Sequence, residues 1–251
     1  MKKIALITGA TSGIGLTVAE ELGKAGYTVV VTGLFDDIGA EAVKTLQDQG
    51  IEAEYVKADA TNEEDTDKAV KSVGEKYGKI DVLVNNVGGL GGRQRYEVME
   101  TEFYRKVMAL NLDSVLFATR AAIPFLKEAV VEGENSPSII NYASIASYNG
   151  GGPGAGIYGA SKAAVLNMTI SMAKDLAPDG IRVNAVSPGT IDTPFHAATD
   201  RSIVDGWKNS ILMKRLGEPK EVATVIEFLV SDKASFLTGE VIQINGGQDF
   251  R

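Results

Sequence analysis

The stretch that decides the fold is residues 3–32, KIALITGATSGIGLTVAEELGKAGYTVVVT. It opens with a short apolar run, residues 3–8, which is typical of a buried parallel strand. A glycine-rich turn follows, then a helical pattern that ends near Gly26, and then the β-branched run 27–32. Strand, turn, helix and second strand together occupy the roughly 30 residues that a parallel crossover requires. The stretch therefore predicts the first βαβ unit of an α/β protein.

The turn inside this unit reads Thr8-Gly9-Ala10-Thr11-Ser12-Gly13-Ile14-Gly15. Its glycines let backbone N–H groups approach a pyrophosphate, and the N-terminus of the following helix adds favourable partial positive charge. The spacing Gly-x-x-x-Gly-x-Gly differs from the commoner Gly-x-Gly-x-x-Gly fingerprint. A turn that merely joins strand to helix is the alternative, but its position directly after the first strand favours dinucleotide binding.

Strands and helices continue to alternate along the rest of the chain. The predicted helices are 36–49, 63–77, 100–122 in two pieces that meet near Asn111, a helix that begins at Tyr158, and 219–230, and the predicted strands are 51–57, 80–84, 138–142, 181–186 and 240–244. Residues 193–216 are polar and irregular, with short helical possibilities. Six helices between seven strands predict a single α/β domain over residues 1–251, with a Rossmann-type, doubly wound, seven-stranded parallel sheet.

Composition excludes several classes of function. The net charge of −8 argues against nucleic acid as the main partner. The absence of cysteine rules out disulfides and thiol catalysis, and a single histidine, His196, argues against a histidine zinc site or a Ser-His-Asp triad. No stretch approaches about 20 apolar residues, and the N-terminal apolar run is too short for a signal peptide. We therefore expect a cytoplasmic protein with neither a metal site nor a membrane partner.

A second stretch carries proton chemistry. Tyr158 and Lys162 lie four residues apart at the start of a predicted helix, so about one turn places both side chains on one face. A neighbouring cation favours the phenolate form of a tyrosine, whose ordinary pKa is about 10. Ser144 lies on the preceding segment and could place a hydroxyl beside that phenol. Such a trio can protonate a carbonyl oxygen or deprotonate an alcohol, although Tyr–Lys pairs are also common on exposed helix faces.

The unusual residues of the chain share one location. They all follow predicted strands, and the carboxyl ends of parallel strands meet at the edge of the sheet where ligands bind in this architecture. They are residues 9–15, 34–37, Asp59, 85–88, Ser144 and 188–193. We expect the loops at this edge to carry the chemistry.

Taken together, these motifs have a definite order and spacing. They are Thr8-Gly9-x-x-x-Gly13-Ile14-Gly15, Asp59, Asn85-Asn86-Val87-Gly88, Asn111, Ser144, Tyr158-x-x-x-Lys162 and Pro188-Gly189. Over nearly the whole chain they resemble the short-chain dehydrogenase/reductase family. Two departures are Val87, where the family usually has Ala, and an apparent extra residue in the glycine-rich connector between Ser144 and Tyr158, which is expected to reshape the pocket wall. The resemblance implies hydride transfer between a nicotinamide cofactor and a carbonyl carbon.

The resemblance also implies a role for each residue. Tyr158 is the expected acid/base, Ser144 bonds the substrate oxygen, and Lys162 lowers the phenol pKa and binds the nicotinamide ribose. Asn111 is expected to support a water through which protons reach Lys162. The implied cofactor-binding residues are Gly9, Thr11, Ser12, Gly13, Ile14, Gly15, Leu34, Asp36, Asp59, Ala60, Asn86, Val87, Gly88, Tyr158, Lys162, Pro188, Gly189, Ile191 and Thr193.

The end of the second strand, residues 32–37, bears on the choice of cofactor. An acidic residue there accepts from the ribose hydroxyls of NAD, whereas an arginine pairs with the 2′-phosphate of NADP. Gly33 stands where the NAD-type Asp is common, and Leu34 and Ser12 stand where many NADP enzymes carry basic residues. The sequence shows no nearby Lys or Arg, and two aspartates would repel a phosphate, although acids also suit a helix start. NAD(H) is therefore favoured, with NADP(H) as the alternative.

Two segments could select the substrate. The glycine-rich loop 89–95 carries Arg93 and Arg95, which could grip a carboxylate, solvated loop arginines being the alternative. A segment of about residues 190–216 is expected to act as a substrate lid. This segment contains His196, a candidate substrate-binding residue. Its position is more typical of an exposed loop residue than of a catalytic one.

The glycine–arginine loop resembles that of family members that reduce keto-uronic acids, such as 4-deoxy-5-hexoseulose uronate from alginate breakdown. A 3-oxoacyl-carrier-protein reductase is the main alternative. A third, a non-catalytic dinucleotide-binding regulatory protein, is disfavoured because Ser144, Tyr158 and Lys162 are all present. The helical segments 111–127 and 159–177 and the C-terminal segment 238–247 resemble interface elements of the family, which implies a homotetramer.

Overall fold

The computed structural model of the chain describes residues 2–131, 136–193 and 201–250, with the backbone alone for residues 201–203. Seven strands lie in these residues. They are β1 (Ile4–Ile7), β2 (Thr28–Gly33), β3 (Ala53–Lys57), β4 (Val82–Asn85), β5 (Ser138–Tyr142), β6 (Arg182–Pro188) and β7 (Val241–Ile244). Each strand is parallel to its neighbours.

The order of the strands across the sheet is β3-β2-β1-β4-β5-β6-β7. From β1 the chain runs outward to β3, then crosses back to place β4 on the other side of β1. Strand order reverses at this point, and in open α/β sheets ligands bind in the crevice that such a reversal creates. The predicted Rossmann-type, doubly wound, seven-stranded parallel sheet is confirmed.

Helices cover both faces of this sheet. In the described residues they are α1 (Gly13–Lys24), α2 (Asp36–Gln47), α3 (Glu63–Tyr77), α4 (Thr101–Met108), α5 (Ser114–Glu128), α6 (Ala146–Asn149), α7 (Gly156–Leu176), α8 (Arg201–Ser210) and α9 (Pro219–Val230). One face carries α1 and α9 over a core that includes Ile226. The other carries α3 and α5 over a core that includes Leu126. In β1, Ile7 packs into the first core and Leu6 into the second, as expected of a strand buried on both faces.

The element bounds follow the sequence pattern closely. The helices Glu63–Tyr77 and Pro219–Val230 and the strand Ser138–Tyr142 have the predicted limits. The described residues hold nine helices against the six predicted, because the predicted helix 100–122 is divided into α4 and α5, the short α6 is added, and α8 lies in a segment predicted to be irregular. Val204 and Trp207 explain α8: they lie three residues apart and are half-buried, whereas the other residues from 205 to 210 are exposed.

A π-helical turn interrupts the long helical stretch Thr101–Glu128. The sequence predicts two helices that meet near Asn111, and the structure has α4, the π-helical turn Ala109–Asp113 and α5 in succession. By length and composition alone this stretch is apolar enough to cross a membrane. In the fold it is a core helix, because Ala118 and Ala122 are buried against the sheet.

The contact between α3 and α5 provides a test of packing. Gly74 is buried in α3, and a β-carbon there would lie 2.3 Å from Cγ of Phe125. Gly74→Ala should therefore lower the free energy of unfolding by roughly 1–3 kcal/mol through overpacking, although alanine is the better helix former. Urea-induced unfolding followed by circular dichroism measures the change.

The matched control is Gly206 in α8, where a β-carbon would meet none of the described atoms within 4 Å. Gly206→Ala should leave stability unchanged or raise it slightly. If Gly74→Ala and Gly206→Ala were equally stable, the close approach of α3 to α5 would be wrong.

Candidate active site

A cavity of about 550 Å³ lies along the carboxyl ends of the strands, within the range of about 300–1,000 Å³ that is usual for ligand sites. Every predicted cofactor-binding residue except Asp36 lines it: Gly9, Thr11, Ser12, Gly13, Ile14, Gly15, Leu34, Asp59, Ala60, Asn86, Val87, Gly88, Tyr158, Lys162, Pro188, Gly189, Ile191 and Thr193. Ser144 also lines it. The cavity therefore joins the glycine turn to the proton-handling trio.

The glycine turn is held by an asparagine from the loop after β4. Gly9 and Gly13 have φ angles of +60° and +56°, which glycine adopts without strain. Asn86 Nδ2 donates to the carbonyl oxygens of Thr8 at 3.0 Å and Gly9 at 2.8 Å. A β-carbon on Gly15 would lie 2.5 Å from that same Nδ2. The turn is therefore shaped by packing as well as by its own sequence.

The first turn of α1 fits a diphosphate group. Ser12 precedes the helix and makes no side-chain cap hydrogen bond, and the first N–H groups of a helix have no intrahelical acceptor. Gly13 and Ile14, which carry such groups, line the cavity. An anion bound there would receive backbone hydrogen bonds and the favourable end of the helix dipole.

Ser144, Tyr158 and Lys162 meet at the other end of the cavity. Tyr158 and Lys162 lie one turn apart on α7, as their spacing predicts. The Ser144 hydroxyl lies near enough to the phenol of Tyr158 to lower its pKa, and it accepts a hydrogen bond from the Ala146 N–H at 3.1 Å. Lys162 is buried, and its Nζ donates to the carbonyl oxygen of Tyr142 at 2.8 Å.

Burial controls the pKa values of Tyr158 and Lys162. It raises the pKa of Tyr158, and the nearby Ser144 hydroxyl offsets only part of that rise. It also lowers the pKa of Lys162 from 10.5 to about 8. Desolvation is the larger effect on the phenol, and the Lys162 ammonium is bound to a backbone carbonyl. That Lys162 lowers the phenol pKa stays a prediction. A neutral phenol at neutral pH is ready to donate a proton.

Asn111 does not line the cavity but holds the loop that does. Its Oδ1 accepts from the Gly89 N–H at 2.9 Å, and its Nδ2 donates to the carbonyl oxygens of Gly89 at 2.8 Å and Val107 at 2.9 Å. A β-carbon on Gly88 would lie 2.7 Å from Lys162 Nζ and 2.9 Å from Asn111 Oδ1. The side chain thus positions the loop beside Lys162, and its support for a water stays a prediction.

The end of the cavity beside the C-terminus of β2 differs from its prediction in one respect. Leu34 and Phe35 line it and are 50% and 60% exposed. Asp36 instead forms an ion pair with Lys57, Nζ to Oδ2 2.8 Å. The statement that no Lys or Arg lies near the end of β2 is therefore wrong, since Lys57 ends β3 and pairs with Gly33 in the strand register.

The two arginines predicted to bind substrate lie outside the cavity lining in the described chain. Arg93 Nη1 donates to the carbonyl oxygen of Pro153 at 2.9 Å, which ties its loop to the glycine-rich connector. Arg95 is exposed, with Nε 3.1 Å from Glu97 Oε1. His196 lies outside the described residues, as does part of the predicted lid, residues 194–200.

Several lining residues are not among the predicted cofactor-binding or catalytic residues. They are Thr32, Gly33, Phe35, Ile38, Ala58, Thr61, Gly89, Leu110, Tyr142 and Ala143. Most are neighbours of predicted residues at strand ends and could be found by extending those motifs. Leu110 has no such signal, because the π-helical turn places it there.

Three comparisons with known proteins bear on this geometry. The profile of a family described as enoyl-(acyl carrier protein) reductase matches residues 9–249. The chain is 34% identical to the 3-oxoacyl-[acyl-carrier-protein] reductase of Aquifex aeolicus, over 98% of this chain and 96% of that protein. It is also 34% identical to the 3beta-hydroxysteroid dehydrogenase of Mediterraneibacter gnavus, over 98% of this chain and 94% of that protein.

A solved structure is equally similar over the whole chain. The NADH-dependent reductase A1-R′ responsible for alginate metabolism matches with a TM-score of 0.91 and 37% identity, covering 100% of this chain and 98% of the other. The same reductase complexed with NAD matches with a TM-score of 0.88, 35% identity and the same coverage. Family profile, relatives and fold agree with the motifs, and the chain belongs to the short-chain dehydrogenase/reductase family of nicotinamide-dependent oxidoreductases.

Proposed function

We propose that the protein is an NADH-dependent reductase of small keto acids, with a keto-uronic acid such as 4-deoxy-5-hexoseulose uronate as its substrate. The observation that carries the reductase chemistry is that Ser144 and Tyr158 line one cavity together with the buried Lys162. Similarity to an NADH-dependent reductase of alginate metabolism supports the choice of substrate.

The residues of the chain handle the proton, while the hydride comes from the cofactor. Burial keeps the Tyr158 phenol neutral at physiological pH, so it can protonate a carbonyl oxygen. The Ser144 hydroxyl, which lines the cavity beside that phenol, is placed to hold the same oxygen. Below about pH 8 Lys162 carries a positive charge, which favours the phenolate that remains after proton transfer.

The ribose end of the cavity supports NADH over NADPH. Leu34, Phe35 and Ile38 present apolar side chains there, and a phosphate placed against them would lose hydration without gaining hydrogen bonds. The nearby Lys57 is already neutralised by Asp36. An uncharged ribose hydroxyl suits this surface better than a 2′-phosphate.

Arg93 supports an acidic substrate. Besides the Arg93–Pro153 bond, the Gln94 N–H donates to the carbonyl oxygen of Gly154 at 3.0 Å, so two hydrogen bonds hold this loop on the connector that leads to Tyr158. A guanidinium has five N–H donors in a fixed fork, which leaves others for a carboxylate. Arg95 is already paired with Glu97, so Arg93 is the better candidate of the two.

The second candidate is reduction of a 3-oxoacyl group on a carrier protein, the activity named for the Aquifex aeolicus relative. An acidic carrier docks on basic residues, and Arg105 and Lys106 on the exposed side of α4 offer a small basic patch. The net charge of −8 disfavours such a partner.

One assay separates these activities. NADH and NADPH are each mixed with an alginate-derived keto-uronate and with an acetoacetyl thioester, and the loss of nicotinamide absorbance is followed. Rapid NADH consumption with the uronate supports the proposal. NADPH consumption with the thioester alone contradicts it and supports the carrier-protein activity.

A homotetramer, implied by the family resemblance, is also proposed. Leu116 on α5 and Ile170 on α7 are exposed apolar side chains on the two helices expected to meet a partner. A monomer in sedimentation velocity would contradict this assembly.

The acid role of Tyr158 predicts a selective loss. Tyr158→Phe removes the hydroxyl group that donates the proton but keeps the ring. The value of kcat should therefore fall by about 10²–10⁴-fold while NADH still binds. Tyr104→Phe, at an exposed tyrosine of α4, is the matched control and should keep full turnover. Stopped-flow turnover and NADH fluorescence measure the two effects, and substantial activity in Tyr158→Phe would refute the role.

The pKa of Lys162 predicts the pH dependence of reduction. Its pKa is lowered to about 8, so the ammonium is present below that pH and is lost as the pH rises through it. The value of kcat for carbonyl reduction should hold below about pH 8 and fall above it, because the phenolate left by proton transfer loses its stabilising cation. A rate that stays constant to about pH 10, where an ordinary lysine titrates, would contradict this role.

The carboxylate role of Arg93 predicts a change in KM. Arg93→Ala should raise KM for the keto-uronate by about tenfold, the size expected for one lost charge-assisted hydrogen bond, and leave KM for a neutral ketone unchanged. Arg95→Ala is the matched control and should change neither value. An equal rise for acidic and neutral substrates would show that Arg93 only supports the connector.

A further inference from the structure

The Lys57–Asp36 ion pair borders the cavity on two sides. Lys57 is followed by Ala58, which lines the cavity and donates its N–H to the carbonyl oxygen of Gly33 at 2.9 Å. Asp36 is the first residue of α2 and follows Phe35, another lining residue. The two charged groups, from the ends of β3 and β2, therefore meet beside the part of the cavity assigned to the adenosine ribose.

The pair is exposed and exchangeable. The side chains of Lys57 and Asp36 are 60% and 68% exposed, with the two atoms 2.8 Å apart. The hydrogen bond and charge of Asp36 raise the pKa of Lys57, with smaller contributions from Tyr55 and Asp65. Exposed pairs of this kind contribute little to stability, so a stronger anion can take the place of the carboxylate without unfolding the site.

A 2′-phosphate is such an anion. It carries more charge and more acceptor oxygens than a carboxylate, and a lysine ammonium binds phosphate as a compact point charge on a flexible stem. While Asp36 holds Lys57, however, the phosphate meets a neutralised cation and a competing carboxylate. Removal of that carboxylate frees the cation at the same place.

We infer that Lys57 is a masked 2′-phosphate-binding residue and that Asp36, by pairing with it, sets the preference for NAD(H). The ion pair acts as a specificity determinant in which the carboxylate occupies the cation that NADP(H) would need. The inference rests on the proposed nicotinamide cofactor but not on the identity of the carbonyl substrate.

The test measures binding of NADPH and NADH to the purified protein without substrate, by titration of nicotinamide fluorescence. Asp36→Asn should tighten NADPH binding by about tenfold, the gain expected for one hydrogen bond to a charged group. Adding Lys57→Gln to Asp36→Asn should abolish the gain. Leu34→Arg serves as a positive control, since an arginine there should also tighten NADPH binding.

The matched control is Asp37→Asn, which removes the same charge from the next residue of α2. Its gain in NADPH affinity should be much smaller than that of Asp36→Asn, because Lys57 is paired with Asp36 and not with Asp37. The inference is overturned if the double variant keeps the full gain, which would mean simple repulsion by Asp36. It is also overturned if Asp37→Asn gives the same gain, or if Asp36→Asn gives none while Leu34→Arg does.

Failure of the proposed function itself has a different signature. If the proposed cofactor is wrong, wild-type protein will not bind NADH in the same titration. If only the proposed substrate is wrong, the keto-uronate will not be turned over and these binding results will be unchanged. Thermal unfolding of each variant confirms that the compared proteins are folded.

Discussion

The hydrogen bond from Lys162 to the carbonyl oxygen of Tyr142 organises the site. A buried ammonium is costly unless it is bound, and this bond holds α7 to the end of β5. Tyr158 lies one turn before Lys162, and Ser144 lies two residues after Tyr142. The bond that satisfies the lysine therefore also fixes the distance between the serine and the tyrosine. The local fold and the proposed proton transfer therefore depend on the same contact.

Two asparagines give the glycine-rich loops their shape. Glycine-rich segments alone would sample many conformations. Asn86, however, bonds the carbonyls of Thr8 and Gly9, and Asn111 bonds both backbone groups of Gly89. The second asparagine faces inward from the π-helical turn, a feature often found at functional sites. Preorganised loops cost no reorganisation when ligand binds, so these amides turn flexible segments into a ready-made cavity.

The residues proposed for proton transfer and those proposed for ligand selection differ in their burial. Of the residues proposed to handle the proton, Lys162 is buried and Tyr158 is half-buried, and desolvation sets the direction of both pKa shifts. The residues proposed to select ligands, Asp36 with Lys57 and Arg93, are exposed and held by single contacts. A substitution at the surface can thus change the preferred cofactor or substrate with little effect on the proton transfer beneath. This separation is consistent with one scaffold that serves steroid, acyl and alginate-related enzymes among its relatives.

By itself the sequence determined the parallel sheet, the place of the glycine turn and the spacing of Tyr158 and Lys162, because these depend on local patterns and on which residues end each strand. Tertiary structure alone decided the partners of the charged groups. Lys57 and Asp36 are 21 residues apart and Arg93 and Pro153 are 60 apart, so their contacts arise only when separate elements pack. The direction of the pKa shift of Tyr158 could not be predicted from the sequence either. Burial of the phenol raises its pKa, and this outweighs the lowering expected from Lys162.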